Sequence, residues 1–404
     1  MAFYGNTMYV NTMAATETAV ALCALGAEKI VSNEIKKLGL AVVEGGFGRI
    51  RFKADLKGLY RALIGLRAAD RVLLETACFD ARDFDALFEG VKALAWEKFI
   101  PPGLGIRVAK VRTNRSRLEA ETSVQAVVHK AAAERLCRKR GIVRLPESPE
   151  DAELRIYIEK DKVSVLLDLS GEPLFKRGYR AGGGGAAPLR ETTAAALILH
   201  SLWRRKFPLY DPFCGSGTIA IEAAMYAWDL APGLGRSFAI ERLLLGSKDI
   251  ERKVREEFLA KVDFSRQIRI AGSDSDATIL PAAQSNIGRA VAGLAGNGPR
   301  IPFMALPMEK AKPGMDGIPA ADEDSSPAGY IITNPPYGRR LGDTESAEKT
   351  YAEMGKLAKN FPGWKLAVIT EHSGFESFFG RKASSCREIS NGAVRTYFYQ
   401  YEKL

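Results

Sequence analysis

The chain has 404 residues, of which 46% are hydrophobic and 26% charged; this is the composition of a globular protein of two or three domains and excludes a disordered or fibrous chain. No apolar run approaches the roughly 20 residues of a membrane helix, and residues 1–16 lack a basic start and an apolar centre, so a cytoplasmic protein without a secretory signal is expected. Five scattered cysteines without a C-x-x-C pair, together with three histidines, argue against a disulfide framework, a metal site and histidine-based catalysis, whereas a net charge of +10 points to a polyanionic partner.

Residues 1–16 show no periodicity and read as a flexible arm. The pattern then becomes regular, with strand alternation over 18–24 and helical spacing over 27–38 ending at Gly39. A hairpin of 41–44 and 48–52 closed by Gly45-Gly46, a helix over 56–66 and a strand at 71–75 follow, which makes 17–66 a ferredoxin-like α+β unit. A second unit, 67–168, has helices over 83–93 and 122–140 and strands at 105–112, 154–158 and 163–169, the last two joined by a turn at Lys160-Asp161. Residues 1–180 carry about 30 basic against 23 acidic side chains, most of the surplus of the whole chain. It gathers in two sets: Arg107, Lys110, Arg112, Arg115 and Arg117 on a strand and its following loop, and Lys130, Arg135, Arg138, Lys139 and Arg140 along a helix. Phosphates suit both sets; on composition alone a solvated basic face suits them equally well.

Residues 169–190, with Gly182 to Gly185, form a flexible linker into a catalytic half over 191–404. There Phe207-Pro208-Leu209-Tyr210 leads into Asp211-Pro212-Phe213-Cys214-Gly215-Ser216-Gly217-Thr218 and a helical stretch, giving strand, glycine loop and helix. Gly215 and Gly217 let the backbone approach a ligand and turn sharply. The spacing is not G-x-G-x-x-G, and the lysine of a phosphate loop is missing. A pyrophosphate loop aims a helix N-terminus at an anion, whereas Asp211 sets a carboxylate at the start of this one, which favours a ligand carrying a cationic amine. Cys214 has no basic neighbour in sequence and reads as packing. After a charged helical insertion over 229–266, a second strand ends at Asp274-Ser275-Asp276, where a doubly wound fold holds ribose hydroxyls. An acidic loop, 315–329, reads as mobile and solvated, and strands at 365–370 and 396–401 complete the sheet.

Between them, Tyr330-Ile331-Ile332-Thr333 delivers Asn334-Pro335-Pro336-Tyr337 to the carboxyl end of a strand. The prolines lack backbone donors and hold φ near −65°. The Asn334 side-chain oxygen and the Pro335 carbonyl can then both accept from an exocyclic amino group, with Tyr337 as a stacking face. An amine so held turns its lone pair toward an electrophile, which implies methyl transfer to nitrogen. Taken alone the tetrad reads equally as a turn; the ordered set of strand, loop, acid and tetrad argues for a site.

At these residues the chain resembles the class I S-adenosylmethionine-dependent methyltransferases of exocyclic amines. More closely, 168–180 (DLSGEPLFKRGYR), 187–192 (APLRET) and 334–342 (NPPYGRRLG) look like THUMP-domain RNA methyltransferases of the large-subunit rRNA guanine-N2 type. The resemblance implies an α/β fold: a Rossmann-like seven-stranded methyltransferase domain preceded by an α+β ferredoxin-like and THUMP RNA-binding region. It also implies S-adenosylmethionine as cofactor, bordered by Pro188, Leu189 and Thr192, wrapped at its methionine part by the loop from Asp211 to Thr218 (Phe213, Cys214, Gly215, Ser216 and Gly217 included), and met at its ribose by Asp274 and Ser275. Where the family often has an acid near the adenine this chain has proline, and Glu309 is the substitute considered. The implied partner is structured RNA, 23S rRNA or a precursor particle, with RNA contacts expected from Lys110, Arg112, Arg115, Arg117, Lys130, Arg138, Lys139, Arg140 and Arg339. Guanosine N2 in tRNA, adenine N6 in DNA and a non-catalytic assembly factor are the alternatives.

Overall fold

A computed structural model of the protein describes residues 16–180, 189–292, 294, 300–321, 325–338, 343–392 and 394–404. The first half is built from β1 (Glu17–Cys23), α1 (Glu28–Lys37), β2 (Ala41–Gly46), β3 (Arg49–Ala54), α2 (Leu56–Gly65), β4 (Ala69–Asp80), α3 (Phe84–Ala93), β5 (Ile106–Asn114), α4 (Glu121–Arg140), β6 (Ala152–Glu159) and β7 (Lys162–Asp168). Its strands form one seven-stranded sheet in the order β2-β3-β1-β4-β7-β6-β5. Strand β4 pairs with β1 through Ala19↔Leu74 and with β7 from Leu73↔Asp168 to Asp80↔Lys162, so the ferredoxin-like and second units share a continuous sheet. The first hairpin turns at Phe47-Gly48 rather than at Gly45-Gly46, which are paired within β2. Phe47 (φ 50°) and Gly48 (φ 73°) supply the two left-handed positions that a two-residue hairpin turn of this twist demands.

Because alternate strand residues point to opposite faces, this sheet has a covered and an uncovered side. Ala19, Ala21, Ile50, Phe52, Val72, Leu74, Leu154 and Ile156 are buried with apolar residues of the helices, Val124, Val128 and Leu136 of α4 among them. The other side, uncovered by those helices, carries Arg49, Arg71 and Arg155 around a small cluster of Val20, Leu73 and Leu166, themselves buried beneath neighbouring side chains such as Leu22 and Tyr157.

The second half comprises α5 (Glu191–His200), β8 (Leu209–Asp211), α6 (Thr218–Ala227), α7 (Lys248–Leu259), β9 (Ile270–Asp274), α8 (Leu280–Ala290), β10 (Phe303–Ala305), β11 (Tyr330–Thr333), α9 (Asp343–Met354), α10 (Leu357–Asn360), β12 (Lys365–Thr370), α11 (Phe375–Phe379), β13 (Ser385–Asn391) and β14 (Val394–Tyr401). The sheet order is β10-β9-β8-β11-β12-β14-β13, with β14 antiparallel to both neighbours. This is the seven-stranded arrangement expected from the resemblance. Strand β13 gives no sequence signal because it is a solvated edge: Cys386, Arg387 and Glu388 are all exposed.

The insertion between α6 and β9, charged in sequence, is a docking arm. Its Phe238, Ile240, Leu243, Leu245, Val254 and Phe258 are buried in the core of the first sheet, each contributing roughly 1.5–3 kcal/mol of burial. Gly233 N donates to Ile64 O at 2.9 Å, and Leu244 N to Phe99 O at 2.9 Å. The four-glycine run of the linker and the acids Asp322 to Asp324 lie outside the described residues.

Candidate active site

The glycine loop leaves β8 at Asp211, which is only 1% exposed. Its Oδ1 accepts from the Phe213 amide at 3.1 Å and from the Thr333 hydroxyl at 2.6 Å. Burial pushes this carboxyl up to about 7, with the charge of Asp274 acting in the same direction. Gly215 has φ 49°, and a side chain built there would meet nothing within 4 Å, so the loop faces open space at that point. Gly217 has φ 83°, and a Cβ there would lie 2.8 Å from the Phe303 ring. Cys214 is buried, its thiol pushed up by desolvation and by Asp211 and Asp274, so it packs rather than reacts.

Asp274, at the end of β9, supports the loop directly: Oδ2 accepts from Gly215 N at 2.9 Å and Oδ1 from Asp276 N at 3.0 Å. Ser275 beside it is exposed. Two residues that sequence reading left out complete the brace. Arg180 donates to the Thr218 hydroxyl at 2.7 Å and to Leu189 O at 3.0 Å, and Asn286 on α8 donates to Ser216 O at 2.9 Å.

The tetrad follows β11, which lies between β8 and β12 with all three parallel. Thr333 is the last residue of β11, so its bond to Asp211 ties the tetrad to the glycine loop across adjacent strand ends. Asn334 is half-buried, and its Oδ1 accepts from the Tyr337 hydroxyl at 2.5 Å. The acceptor expected to meet an amine is thus held by the tetrad's own aromatic residue. Pro335 is buried; Pro336 is exposed, and its carbonyl accepts from the hydroxyl of buried Tyr351 at 2.8 Å. That hydroxyl is also 2.9 Å from Thr370 Oγ1 at the end of β12. The missed residues Thr333 and Tyr351 are apolar-strand and helix positions in sequence; only the hydroxyl each carries hinted at a partner.

Other expected residues land elsewhere. Thr192 is buried, but its hydroxyl donates to Asp70 of the first sheet at 2.5 Å, so that side chain belongs to the contact between halves and not to a cofactor surface. Leu189 is buried beside Arg180, while Pro188 lies outside the described residues. Glu309 stands beyond β10 in a short turn and its carbonyl accepts from Asn360; the residue following β10 beside Asp274 is Leu306, whose amide donates to Asp274 O at 3.1 Å.

Of the basic residues, Lys110, Arg112 and Arg115 line one groove on the uncovered side of the first sheet, Arg112 being paired with Glu121. Arg117 is exposed in the same loop. Lys130, Arg138 and Lys139 are exposed on α4, which packs against the opposite side of that sheet. Arg140, expected to meet RNA, is structural instead. Its guanidinium donates to the carbonyls of Ile100, Pro101, Pro102 and Leu104, closing the loop before β5. Arg339 lies outside the described residues.

The site fits S-adenosylmethionine on its own geometry. A glycine cradle open at Gly215, a buried carboxylate at Asp211 for an ammonium, and an acid at the adjacent strand end supply donors and acceptors of the right kinds. Among the described residues no cluster of histidine, cysteine and carboxylate could hold a metal, and no helix is long and apolar enough to cross a membrane.

Comparison with known proteins agrees with this reading. Residues 177–400 match the model of the RMKL-like methyltransferase domain, 18–73 the RlmL ferredoxin-like domain and 81–168 the THUMP domain. YpsC of Bacillus subtilis (strain 168), provisionally named an RNA methyltransferase, is 35% identical over 95% of both chains. The ribosomal RNA large subunit methyltransferase K/L of Cellvibrio japonicus is 33% identical over 93% of this chain; the chain spans about half the length of the K/L proteins, 49% in that case. Among solved structures, a possible methylase from Clostridium difficile 630 superposes with a TM-score of 0.86 at 36% identity, covering 96% of this chain and 99% of that one. SMU.472, a methyltransferase-like protein crystallised with SAH, gives 0.83 at 34% identity, covering 96% and 98%.

Proposed function

Since the chain belongs to the RMKL-like methyltransferase family, whose members use S-adenosylmethionine, we propose that its reaction is methyl transfer to the exocyclic N2 of a guanosine in 23S rRNA. The observation that carries the chemistry is the Asn334 to Tyr337 tetrad, tied through Thr333 to the carboxylate that starts the glycine loop. The THUMP match and the basic groove support RNA over DNA. The K/L relatives, named for the large ribosomal subunit, support rRNA over tRNA.

When bound, the cofactor supplies an electrophilic methyl group with its leaving group built in. Asp211 would receive its ammonium, the backbone from Phe213 to Gly217 would hold the amino-acid part, and Asp274 and Ser275 would hold the ribose. The target base must leave its stack to reach N2. Arrival of the amino group replaces the Tyr337 hydroxyl at Asn334 Oδ1, one hydrogen bond for another, and frees the Tyr337 ring to stack on the base. Asn334 Oδ1 and the Pro335 carbonyl then accept from N2, aiming its lone pair at the methyl carbon. Both bonds strengthen as N2 becomes positive, which stabilises the transition state more than the bound substrate. Positioning supplies the rest of the rate.

The test is methyl transfer from radiolabelled S-adenosylmethionine to separated 23S rRNA, 16S rRNA and tRNA from cells lacking the enzyme, followed by nucleoside analysis. N2-methylguanosine in 23S rRNA is the expected product. Label confined to tRNA, or in a different nucleoside, overturns the substrate or the target atom respectively.

A further inference from the structure

A groove of about 1490 Å³ opens between the uncovered side of the first sheet and the turn joining β13 to β14. Nine lysines and arginines line it against three carboxylates. Five of these cations are already neutralised: Arg71 and Arg155 by Asp168 and Glu153, Arg112 by Glu121, Arg190 by Asp70, Arg395 by Glu388. Four are not. Among the described residues Arg49, Lys110, Arg115 and Lys160 have no carboxylate partner, and Arg49 stacks over the Tyr157 ring at 5.3 Å.

Arg115 (φ 49°) and Lys160 (φ 50°) occupy left-handed positions on neighbouring turns. Those turns are bound together: Lys160 N donates to Asn114 O at 3.1 Å, and Asp161 accepts from the Ser116 hydroxyl and from Arg117 N. Non-glycine residues held there cost of order 1 kcal/mol each, so two cations are presented from a braced, mildly strained rim. On the other rim Phe47, at the tip of the first hairpin, is 91% exposed. A fully exposed phenylalanine next to unpaired cations is poorly suited to stability and well suited to a nucleobase with its phosphates.

The groove also lies on the correct edge. The pairing Thr370↔Tyr397 places the start of β14 beside the end of β12, so the β13–β14 turn projects beyond the carboxyl ends of the parallel strands, where Asn334 stands. Two to three strand spacings, roughly 10–15 Å, separate that turn from the tetrad along the sheet.

We propose that this groove holds a single-stranded segment of the substrate RNA adjoining the target nucleotide, its phosphates on Arg49, Lys110, Arg115 and Lys160 and one base stacked on Phe47; the inference rests on the RNA-methyltransferase reading above. The exposed basic residues of α4 face away from this path.

The experiment measures binding of fluorescein-labelled oligouridylate by anisotropy across a salt series, with duplex RNA as competitor and cofactor binding as a check of folding. The groove variant combines Lys110→Ala with Arg115→Asn and Lys160→Asn, since asparagine tolerates left-handed turns. At about 0.7 per phosphate contact on a single strand, its salt slope should fall by roughly two, with affinity down tenfold or more. Phe47→Asn should weaken binding on the order of tenfold and Phe47→Trp restore it. A variant of Lys130, Arg138 and Lys139 to alanine should bind as the wild type does. Groove variants that bind like wild type, an α4 variant that loses more, or duplex RNA competing as well as single strand each overturn the groove. Unchanged binding by groove variants of an enzyme that methylates RNA leaves the reaction standing and removes the groove; groove-dependent binding without methylation of any RNA does the reverse.

Discussion

Asp211→Asn tests whether the buried carboxylate at the start of the glycine loop is an ammonium receptor. Burial lifts the folded-state pKa from an ordinary 3.8 to about 7, so ionising the ligand-free site costs on the order of 4 kcal/mol more than ionising the unfolded chain. Below about pH 4 both states are protonated and the group is neutral to stability. Between about pH 4 and 7 the unfolded chain ionises while the folded site does not, so stability falls as pH rises, and the loss levels off once the folded site ionises as well. A cationic amine reverses the preference by stabilising the carboxylate, so binding below about pH 7 must release a proton. Wild-type affinity for S-adenosylhomocysteine should therefore fall about tenfold per pH unit from about 7 down to 5.5. Methylthioadenosine, which lacks the amino-acid part, should bind independently of pH. The asparagine variant should bind S-adenosylhomocysteine weakly and without pH dependence, yet melt higher than wild type at about pH 7.5 without ligand. Calorimetry in buffers of different ionisation enthalpy counts the released proton. Wild-type affinity flat over that range, or the same slope in the asparagine variant, refutes the role.

Asn334→Ala should lower kcat by roughly 10²- to 10³-fold, as loss of one transition-state hydrogen-bonding group does, with RNA and S-adenosylhomocysteine affinities within about twofold; single-turnover methylation and equilibrium binding separate the two. Tyr337→Phe removes the hydroxyl that occupies Asn334 Oδ1 and keeps the ring, so kcat should be at least that of wild type, whereas Tyr337→Ala should lose it. Gly217→Ala puts a side chain on a residue with φ 83° and 2.8 Å from the Phe303 ring; cofactor affinity should drop at least tenfold in calorimetry, with about 1–2 kcal/mol of stability lost in urea denaturation. Arg140→Ala leaves four loop carbonyls without their donor and should cost about 1–3 kcal/mol in urea, while Lys139→Ala should be neutral there and neither should change RNA affinity at full folding.

The parts legible in sequence are those in which local chemistry leaves one choice. Strand, glycine loop and helix at Asp211 to Thr218 follow from two glycines in left-handed conformations and an apolar run on either side. The turn at Lys160-Asp161 falls as expected because an alternating strand, β6, and a largely apolar one, β7, meet at Glu159↔Lys162. At the first hairpin the glycine pair misled: Gly45 and Gly46 are glycines that a strand edge tolerates, and the turn was taken by Phe47, a residue no propensity assigns to φ 50°. The arm over 229–266 reads in sequence only as a charged helical insertion because α7 is mostly charged; the apolar residues that dock it are Phe238, Ile240 and Leu243 before the helix and just Val254 and Phe258 within it. Basic residues were the least legible. Arg140 and Arg138 are two positions apart on α4, and what separates a structural arginine from a solvated one is a set of carbonyls at 100–104 that no spacing rule locates.

The docking of the two halves gives those positions a shared consequence. Arg177, in the segment that leaves the first sheet, is buried 3.5 Å from Glu222 on α6, and its guanidinium also donates to Arg67 O and Leu174 O. Glu222 accepts from the Tyr179 hydroxyl at 3.1 Å, while Glu34 on α1 accepts from the amides of Arg67 and Ala68. A charge pair sealed this deeply adds little net stability, but removing either partner leaves the other uncompensated, so it tolerates one arrangement of the halves and penalises others. Glu222 lies one turn beyond Thr218, the residue that begins α6 at the glycine loop. The same few residues therefore fix the first sheet against the element that carries the glycine loop. The span from the basic groove to Asn334 then becomes a property of the fold, and with RNA held in the groove as proposed, a nucleotide would be selected by its distance from the gripped strand as much as by the atoms of its base.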